Sequence, residues 1–589
     1  MKTFEKLLPI AIWFVVGITL FLLAQNYFEF HFYYAEQLQL FLYNKTFLSD
    51  LLFSFGGLSE IICRWLIQFY IYPKIGALIT TIFLLSVAIL MNRISRKINT
   101  DVSLILLPLL AAIFIFFLHL NQYYYVAGTI AFIFVLAFFL IYLKIVHPRA
   151  KIIVASSFTV LLFWWAGSIA FLFVITIILW QLLTDRKHIL YSFIPLLIFI
   201  ILAYASINLA WIGDYKQIFL PILYFHSKLT PPLIIYFPWG LLLLLVLFSF
   251  VFRNQKISRN FQYFVFICQI IITCATIYYL FPIYGQFQFS LAQYKKLDYY
   301  TRMDRWDDII EESKKPLNNL LLAHYRNIAL METNQLGNQF LQFNQGGMRG
   351  LVPERVKGFL PSLIILNELN FTLGDIAASQ YFAFESNLII SKNGSPRLYK
   401  RLVQTNLING DYRVAEKYIK LLEQTHYYKE WATEQRRFLY NDKVVIEDQL
   451  LGKKRRGQPS ENYLLLATEL PYRLQLLAKS DPTNTAAIEY LASIYLFEKQ
   501  NTLFIELVDK YYNTEESLIN LPEKFQEAII MIKENNPAEW KRYKISSRVV
   551  IKYRNFKQMF MNNKDNPNIK DLLYQNFGNT YWSYFMFFK

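Results

Sequence analysis

The chain has 589 residues, of which 55% are hydrophobic, 18% are aromatic and only 17% are charged. A typical soluble protein has about 25% charged residues, so much of this chain must meet lipid rather than water. The three cysteines, Cys63, Cys268 and Cys274, are too few for a disulfide framework and have no metal-ligand spacing. The composition therefore disfavours a secreted disulfide-rich protein, a disordered protein and a cytosolic enzyme.

The first half of the chain is poor in charge. Residues 1–285 contain 18 Lys and Arg and 8 Asp and Glu. They include nine apolar stretches, at 7–25, 75–91, 102–118, 126–143, 152–163, 168–184, 189–207, 232–252 and 261–284. Most approach the ~20 residues that cross ~30 Å of hydrocarbon as a helix. The sequence predicts a polytopic membrane domain over 1–285 with about nine spans, in which the fifth and sixth stretches either cross fully or stop part-way.

Basic residues predict the orientation of these spans. If the N-terminus is cytoplasmic, 13 of the 18 Lys and Arg residues lie on the cytoplasmic side: Lys2, Lys6, Arg93, Arg96, Lys97, Lys144, Arg149, Lys151, Arg186, Lys187, Arg253, Lys256 and Arg259. Cytoplasmic loops of membrane proteins are enriched in such residues. We therefore expect a multi-pass protein of the inner membrane with a cytoplasmic N-terminus, and a periplasmic domain after residue 285.

The second half, 286–589, has apolar residues at helical spacing and no sustained alternation. A helical pattern that begins at Pro396 is followed by Gly410 and Asp411 and then by a second pattern containing Ala415. The same order recurs at Gly374 and Asp375, about one 34-residue unit earlier. This segment resembles tetratricopeptide repeats (TPR). The overall expectation is an all-α fold, with a membrane domain followed by a TPR-like solenoid; a generic solenoid of helical pairs is the alternative. Either would offer a groove to a protein or peptide partner.

A basic run in this half, Lys453 to Arg456, is followed by Gly457. On the outer side of a membrane it is interpreted as a solvated loop, and no nucleic-acid partner is expected. The C-terminal aromatic residues are expected to pack as a cap on the solenoid, because an exposed cluster would be adhesive. They are Tyr581, Trp582, Tyr584, Phe585, Phe587 and Phe588.

Residues 26–74, between the first two stretches, are the most informative segment. They are predicted to form two interfacial amphipathic helices joined by a turn at Gly56 and Gly57. In the first, Leu38, Phe41 and Leu42 form an apolar stripe, and Glu36 and Gln39 share another face. In the second, Glu60, Arg64 and Gln68 follow one another at four-residue intervals on one face. None of the nine stretches contains an Asp, Glu, Lys, Arg or His, which disfavours ion-coupled transport.

This layout, with one span, a long external loop carrying an acidic residue, further spans and an external repeat domain, resembles the GT-C superfamily of membrane glycosyltransferases. The pattern around Glu36 and the segment Gly56–Glu60 are also similar to uncharacterised multi-pass proteins of Bacteroidota. GT-C enzymes usually have an Asp, often in an Asp-Glu or Asp-x-Asp setting, where this chain has Glu36-Gln37. The resemblance implies transfer of a sugar from a polyprenyl-phosphate carrier to an acceptor in the cell envelope.

The same resemblance implies roles for individual residues. Glu36 would be the general base, with or without a divalent cation. Gln39, Arg64, Lys216, His226 and Lys228 would bind the substrate and its phosphate. The alternatives are that Arg64 pairs with Glu60 along its helix, and that Glu36 is an ordinary ion-paired carboxylate. The chain would then be a non-catalytic membrane anchor that presents its helical repeats to envelope proteins.

Overall fold

The computed structural model describes residues 2–98, 106–184, 186–253, 258–317, 319–356, 358–390, 393–465, 468–512 and 521–587. About 75% of the chain is helical. Within the described ranges there is no β-strand, and an isolated bridge joins Tyr124 to Phe225. The chain forms two compact units. Unit 1 contains residues 1–295, 391–393 and 424–427, and unit 2 contains the remainder. The all-helical fold predicted from the sequence is confirmed.

Unit 1 is built from apolar helices. They are α1 (Lys2–Glu36), α2 (Lys45–Leu52), α3 (Gly57–Ile67), α4 (Ile75–Ile98), α5 (Leu106–Leu120), α6 (Ala127–Tyr142), α7 (Pro148–Trp165), α8 (Ala170–Thr184), α9 (Phe193–Asn208), α10 (Lys216–Phe219), α11 (Phe237–Val251), α12 (Arg259–Leu280) and the start of α13 (Gln286–Arg302). Short 3₁₀ turns lie at Gln68–Ile71, Arg186–Ser192, Pro221–Tyr224 and Leu233–Tyr236, and a π-helical turn at Phe281–Gly285.

Every predicted apolar stretch falls mainly on one of these helices; residues 102–105, and Lys256 among the basic residues, lie outside the described ranges. Within those ranges, five helices are long and apolar enough to cross a membrane: Trp13–Glu36, Ile75–Ile98, Ile189–Asn208, Leu233–Val251 and Asn260–Ile283. Helices α6 and α8, with 16 and 15 residues, are roughly 24 Å long or less at 1.5 Å per residue, which is shorter than the hydrocarbon core. Several apolar helices are thus compatible with membrane crossing.

The segment after α1 differs from the prediction in its first half. Helix α1 continues to Glu36, and residues 37–44 are non-helical, so the interfacial helix predicted around Leu38 and Phe41 is wrong. The backbone finds partners outside a helix instead: Tyr43 N donates to Gln424 O, within unit 1, at 2.8 Å. Asn44 then begins α2 by accepting from Thr46 N at 2.9 Å. In the second half, the turn at Gly56 and the helix that follows it are confirmed.

Unit 2 consists of shorter helices. They are the end of α13, then α14 (Trp306–Glu312), α15 (Leu321–Glu332), α16 (Leu336–Gln339), α17 (Leu360–Leu373), α18 (Ile376–Ile389), α19 (Pro396–Asn409), α20 (Tyr412–Leu422), α21 (Lys429–Gln435), α22 (Asp442–Glu447), α23 (Leu451–Arg456), α24 (Leu470–Ser480), α25 (Thr485–Phe497), α26 (Asn501–Tyr511), α27 (Glu523–Ile532), α28 (Pro537–Arg542), α29 (Ser547–Asn562), α30 (Ile569–Phe577) and α31 (Tyr581–Phe587). Two 3₁₀ turns lie at Gly347–Gly350 and Arg436–Phe438.

Helices α17–α18 and α19–α20 form the two helical pairs expected from the Gly-Asp signals. Gly374 and Gly410 end α17 and α19 with φ of 92° and 83°, a left-handed conformation that favours glycine. Asp375 Oδ1 accepts from Ala378 N at 3.0 Å and so caps α18. The small residue Ala415 is fully buried in the core of the second pair. The sequence therefore located both helical pairs and the turn within each.

The basic run at 453–456 is not a solvated loop, and that interpretation was wrong. It forms most of α23, in which Lys454 donates to the carbonyl of Phe371 at the end of α17. Arg455 donates to the carbonyls of Leu407 and Ile408 near the end of α19, at 2.8 and 2.9 Å. The last carbonyls of a helix have no partner within that helix and attract cations. This basic run therefore caps the C-termini of two helices.

The aromatic residues near the C-terminus close the core of unit 2, as predicted. Tyr581 and Trp582 are fully buried, and Tyr584, Phe585 and Phe587 pack partly buried against the two core clusters there. Phe588 lies outside the described residues.

Candidate functional site

The segment between α1 and α4 gathers polar side chains in the interior of unit 1. Helix α1 ends at Glu36, the chain runs non-helically to Asn44, and α3 supplies the residues opposite. Seven polar side chains of this segment are buried: Glu36, Gln37, Gln39, Ser59, Glu60, Arg64 and Gln68. Buried polar groups cost free energy unless they are paired, so this concentration marks the segment as the candidate site.

Arg64 is held in an ion pair. Its Nε donates to Glu60 Oε1 at 2.6 Å, four residues earlier on α3, and both side chains are buried. Arg64 Nη1 also donates to the carbonyl of Leu40 at 3.4 Å, and the guanidinium lies 5.8 Å from the centre of the Phe47 ring. The alternative predicted from their four-residue spacing is confirmed. The charge of Arg64 is balanced by Glu60, which reduces what it offers to a phosphate.

Glu36 is 3% exposed and lies at the end of α1. Its neighbours Ala35, Leu38 and Gln39 line a cavity, whereas Glu36 is not one of the lining residues. The cavity has a volume of about 20 Å³, which is room for about one water molecule. Gln39 Oε1 faces Cys63 Sγ at 3.7 Å. This cavity is therefore far smaller than a sugar ring.

A chain of buried polar groups runs beside the same cavity, and the sequence did not reveal it. Lys295 Nζ lies 2.9 Å from His31 Nδ1, and His31 Nε2 lies 2.7 Å from the carbonyl of His119. His119 Nε2 lies 2.8 Å from Thr129 Oγ1, which is 3.0 Å from the Tyr124 hydroxyl. Burial lowers the pKa of Lys295 to about 7. This lysine therefore loses its proton more readily than an exposed one.

His119 Nδ1 is buried and has no hydrogen-bond partner within the described part of the chain. Because His119 lines the small cavity, a water molecule there would satisfy this nitrogen. The amino-acid sequence carries no strong signal for this arrangement: His31 and His119 are isolated histidines, and Lys295 lies outside the predicted membrane domain.

The other predicted phosphate ligands lie on the segment between α9 and α11. Lys216 and Lys228 are exposed, and His226 is half-buried. This segment packs on the turn after α5, where His226 N donates to the carbonyl of Tyr123 at 2.9 Å and the two rings lie 5.7 Å apart. The structure thus brings Arg64 to Glu60 and His226 to Tyr123. It places the two lysines on the surface.

The described side chains contain no group of three or more His, Cys, Asp or Glu residues placed to hold a metal ion.

Residues 5–588 match a family model, DUF6057, which is described as a family of unknown function. The chain belongs to the DUF6057 family. No curated protein and no solved structure matches it. Because the DUF6057 match runs through both units, the apolar helices of unit 1 and the helical pairs of unit 2 belong to one family architecture.

Proposed function

We propose that this DUF6057 protein is a membrane-anchored scaffold. Unit 1 anchors the chain through about nine spans, and unit 2, a TPR-like solenoid, presents its helical pairs to a protein of the cell envelope. The observation that carries this proposal is that Glu36 is buried and does not line the cavity beside the polar segment. That cavity has a volume of about 20 Å³, which is too small for a sugar ring.

The surface of unit 2 also supports binding. Phe384 and Leu388, four residues apart on α18, are 51% and 66% exposed. Residues at this spacing are neighbours on one face of a helix, and exposed apolar patches are typical of interaction surfaces. The helix beneath them is fixed by its cap at Asp375. A rigid helix with an exposed apolar pair is suited to docking a protein partner.

The orientation is part of the proposal: the N-terminus is cytoplasmic and unit 2 is periplasmic, as the distribution of basic residues predicts. Single cysteines introduced at Lys228 and Arg413, in a chain without native cysteines, should react with a membrane-impermeant maleimide added to intact spheroplasts. A cysteine at Arg149 should react only after the membrane is permeabilised. The reverse pattern would overturn the orientation.

A GT-C-like glycosyltransferase is the second candidate, and one observation favours it. The segment that follows α1 buries seven polar side chains, and this is where the resemblance implies a catalytic carboxylate. On this proposal Glu36 takes the proton from an acceptor hydroxyl, and the donor is a polyprenyl-phosphate-linked sugar. The small cavity would have to open before a substrate could enter.

One experiment separates the two candidates. Glu36→Gln is expressed in a strain whose own copy of the gene is deleted, with Glu29→Gln as a matched control. Glu29 is another carboxylate of α1, and it accepts from the Tyr33 hydroxyl at 2.7 Å. A scaffold keeps full function in both variants. Loss of an envelope glycan in Glu36→Gln alone, at unchanged protein level, would overturn the scaffold in favour of the transferase.

Partner binding is tested directly on α18. A photo-reactive amino acid at Leu388 should give one discrete protein adduct in cells, and Phe384→Asp should abolish it. The matched position is Lys417 on α20, an exposed charged residue, from which no adduct is expected. Adducts of equal yield from both positions would mean that this face of α18 is not a specific docking surface.

A further inference from the structure

Unit 2 contains a cleft of about 530 Å³ that lies apart from α18. One wall is the loop 341–347, which follows α16, and the other is the segment 574–579 at the end of α30. Phe497 and Tyr584 also line the cleft. Its size is within the range of roughly 300–1,000 Å³ that holds small ligands in proteins.

Buried hydrogen bonds hold the loop 341–347 in place. Gln345 points into the interior, where it accepts from Arg326 Nη2 at 2.8 Å and from Asn327 Nδ2 at 3.2 Å. Gly346 and Gly347 both have positive φ, of 61° and 75°, which lets the chain turn sharply at the rim. The two other lining residues hold each other in place, because the Tyr584 hydroxyl donates to the carbonyl of Phe497 at 3.0 Å. A site held in this way binds without a large ordering cost.

All described residues that line the cleft are uncharged, although the chain carries a net charge of +17. The nearby Arg326 lies behind the loop, 4.8 Å from the centre of the Phe343 ring and in contact with Gln345. A phosphate, carboxylate or ammonium ligand would lose its hydration here without gaining an opposite charge. The lining therefore favours a neutral ligand.

Most of the polar side chains that line the cleft are amides. Gln342, Gln575 and Asn579 are exposed, and their side chains make no hydrogen bond to other described residues. Each amide both donates and accepts, so it pairs with adjacent hydroxyls, which also do both. The rings of Phe343 and Tyr574 supply apolar faces next to them. Alternating hydroxyl edges and C–H faces are the chemistry of a sugar ring.

We propose that this cleft binds a neutral carbohydrate of two or three sugar rings. The amides of Gln342, Gln575 and Asn579 hold its hydroxyls, and the aromatic rings pack on its C–H faces. An extended peptide fits less well, because the cleft is bounded by a loop and a helix end rather than running along successive helices. This inference goes beyond the scaffold proposal and holds or fails independently of it, because the cleft and the exposed pair on α18 involve different residues.

The test is saturation-transfer NMR on the full-length chain in a detergent without a sugar headgroup. The probes are isomaltose, cellobiose, mannobiose and N,N′-diacetylchitobiose, with dextran included to separate a free disaccharide from the end of a polysaccharide. At least one probe should receive saturation. The signal should fall at least tenfold in Gln575→Ala combined with Asn579→Ala. A matched control is Gln558→Ala, which removes an exposed amide on α29 outside the cleft.

The outcomes are decisive in both directions. Signal lost in the double variant and kept in Gln558→Ala supports the site. Lack of signal from every probe at 50 mM overturns the proposal, as does signal that persists in the double variant. If a neutral peptide such as Ala-Gln-Asn-Ala competes the sugar away with higher affinity, the ligand class is wrong. None of these results alters the α18 crosslinking test, so failure of the two proposals can be told apart.

Discussion

Apart from the buried Glu60–Arg64 pair of unit 1, the two units stabilise their buried polar groups in different ways. Unit 1 places His31, His119 and Thr129 in a line of mostly neutral hydrogen bonds among apolar helices. Unit 2 buries full charges: Arg397 lies between Asp298 and Glu368 at 2.7 and 2.9 Å. Further pairs join Arg401 to Glu368, Arg473 to Asp375 and Lys524 to Glu527. Hydrogen bonds between mostly neutral groups thus connect the apolar helices of unit 1, whereas buried ion pairs connect the shorter helices of unit 2.

The largest expected effect comes from breaking the charge network of unit 2. The side chains of Arg397 and Asp298 are both buried. Arg397→Met therefore leaves the carboxylate of Asp298 in the interior without this cation. Removing one partner of a buried pair costs about 3–5 kcal/mol. We expect the free energy of opening of helices α17 to α19 to fall by this amount. Hydrogen exchange on the full-length chain measures that free energy.

Arg413 provides the control, because it is exposed on α20. Arg413→Met should change the opening free energy by less than about 0.5 kcal/mol. Equal protection in both variants would show that the network does not stabilise the helical pairs.

A smaller effect is expected from the neutral chain of unit 1. Thr129→Val removes the hydroxyl that contacts both His119 Nε2 and the Tyr124 hydroxyl. Leaving a neutral buried group unpaired costs about 1–3 kcal/mol. Opening of unit 1 can be followed by the reaction of a thiol dye with Cys63, which is fully buried, in a background with Cys268→Ala and Cys274→Ala.

The matched variant is Thr176→Val, since that buried hydroxyl donates only within its own helix, to the carbonyl of Leu172 at 2.7 Å. It should destabilise unit 1 less than Thr129→Val does. If Thr176→Val has the larger effect, the neutral chain is not what holds these helices.

The turn of the second helical pair should respond more weakly than either network. Gly410→Ala forces a Cβ onto a backbone with φ of 83°, which costs about 1–2 kcal/mol. Gly410→Asn should cost less, because Asn tolerates the left-handed region. Hydrogen exchange of α19 and α20 measures both variants. Equal losses would point to a steric conflict with Arg455, whose Nη2 would lie 3.4 Å from the new Cβ, rather than to backbone strain.

The remaining effect is a stabilisation that depends on pH. Glu489 Oε2 accepts from Gly337 N at 2.7 Å, and burial raises the pKa of this carboxyl to about 7 from its ordinary 4.5. Between these values the folded chain binds a proton that the unfolded chain has released, so stability falls as the pH rises. Glu489→Gln keeps the acceptor and removes the ionisation. Its melting temperature should exceed that of the wild type at pH 8, by about 2–4 °C for each kcal/mol, and match it at pH 4.5. A difference independent of pH would contradict this assignment.

The features of the fold that were predicted correctly depend on residues close together in the sequence. Gly374-Asp375 and Gly410-Asp411 specify a turn through adjacent residues, and Glu60 and Arg64 face each other because they are four apart on one helix. The same locality explains the errors. The non-helical segment at 37–44 depends on contacts with Gln424, 380 residues beyond Asn44. The run at 453–456 depends on carbonyls roughly 50 to 80 residues earlier.

The sequence shows that polar residues are concentrated after α1, and their chemical role stays a prediction. Polar residues do gather after α1, yet their burial follows from packing that no local pattern encodes. The contact between His31 and Lys295 joins residues 264 apart, and that between His31 and His119 joins residues 88 apart. A lone histidine in an apolar run carries no information about which distant group it will meet. Long-range pairing of this kind is therefore visible only in the folded chain.

The described residues that line the cleft between the loop 341–347 and the end of α30 are all uncharged. Binding in this cleft should therefore depend little on the salt concentration of the medium. Screening by salt weakens attraction between charges, but it leaves amide–hydroxyl bonds and ring packing nearly unchanged. In a basic protein with a pI of about 9.3, most surface interactions differ in strength between dilute and saline media. Occupancy of this cleft would stay constant across both.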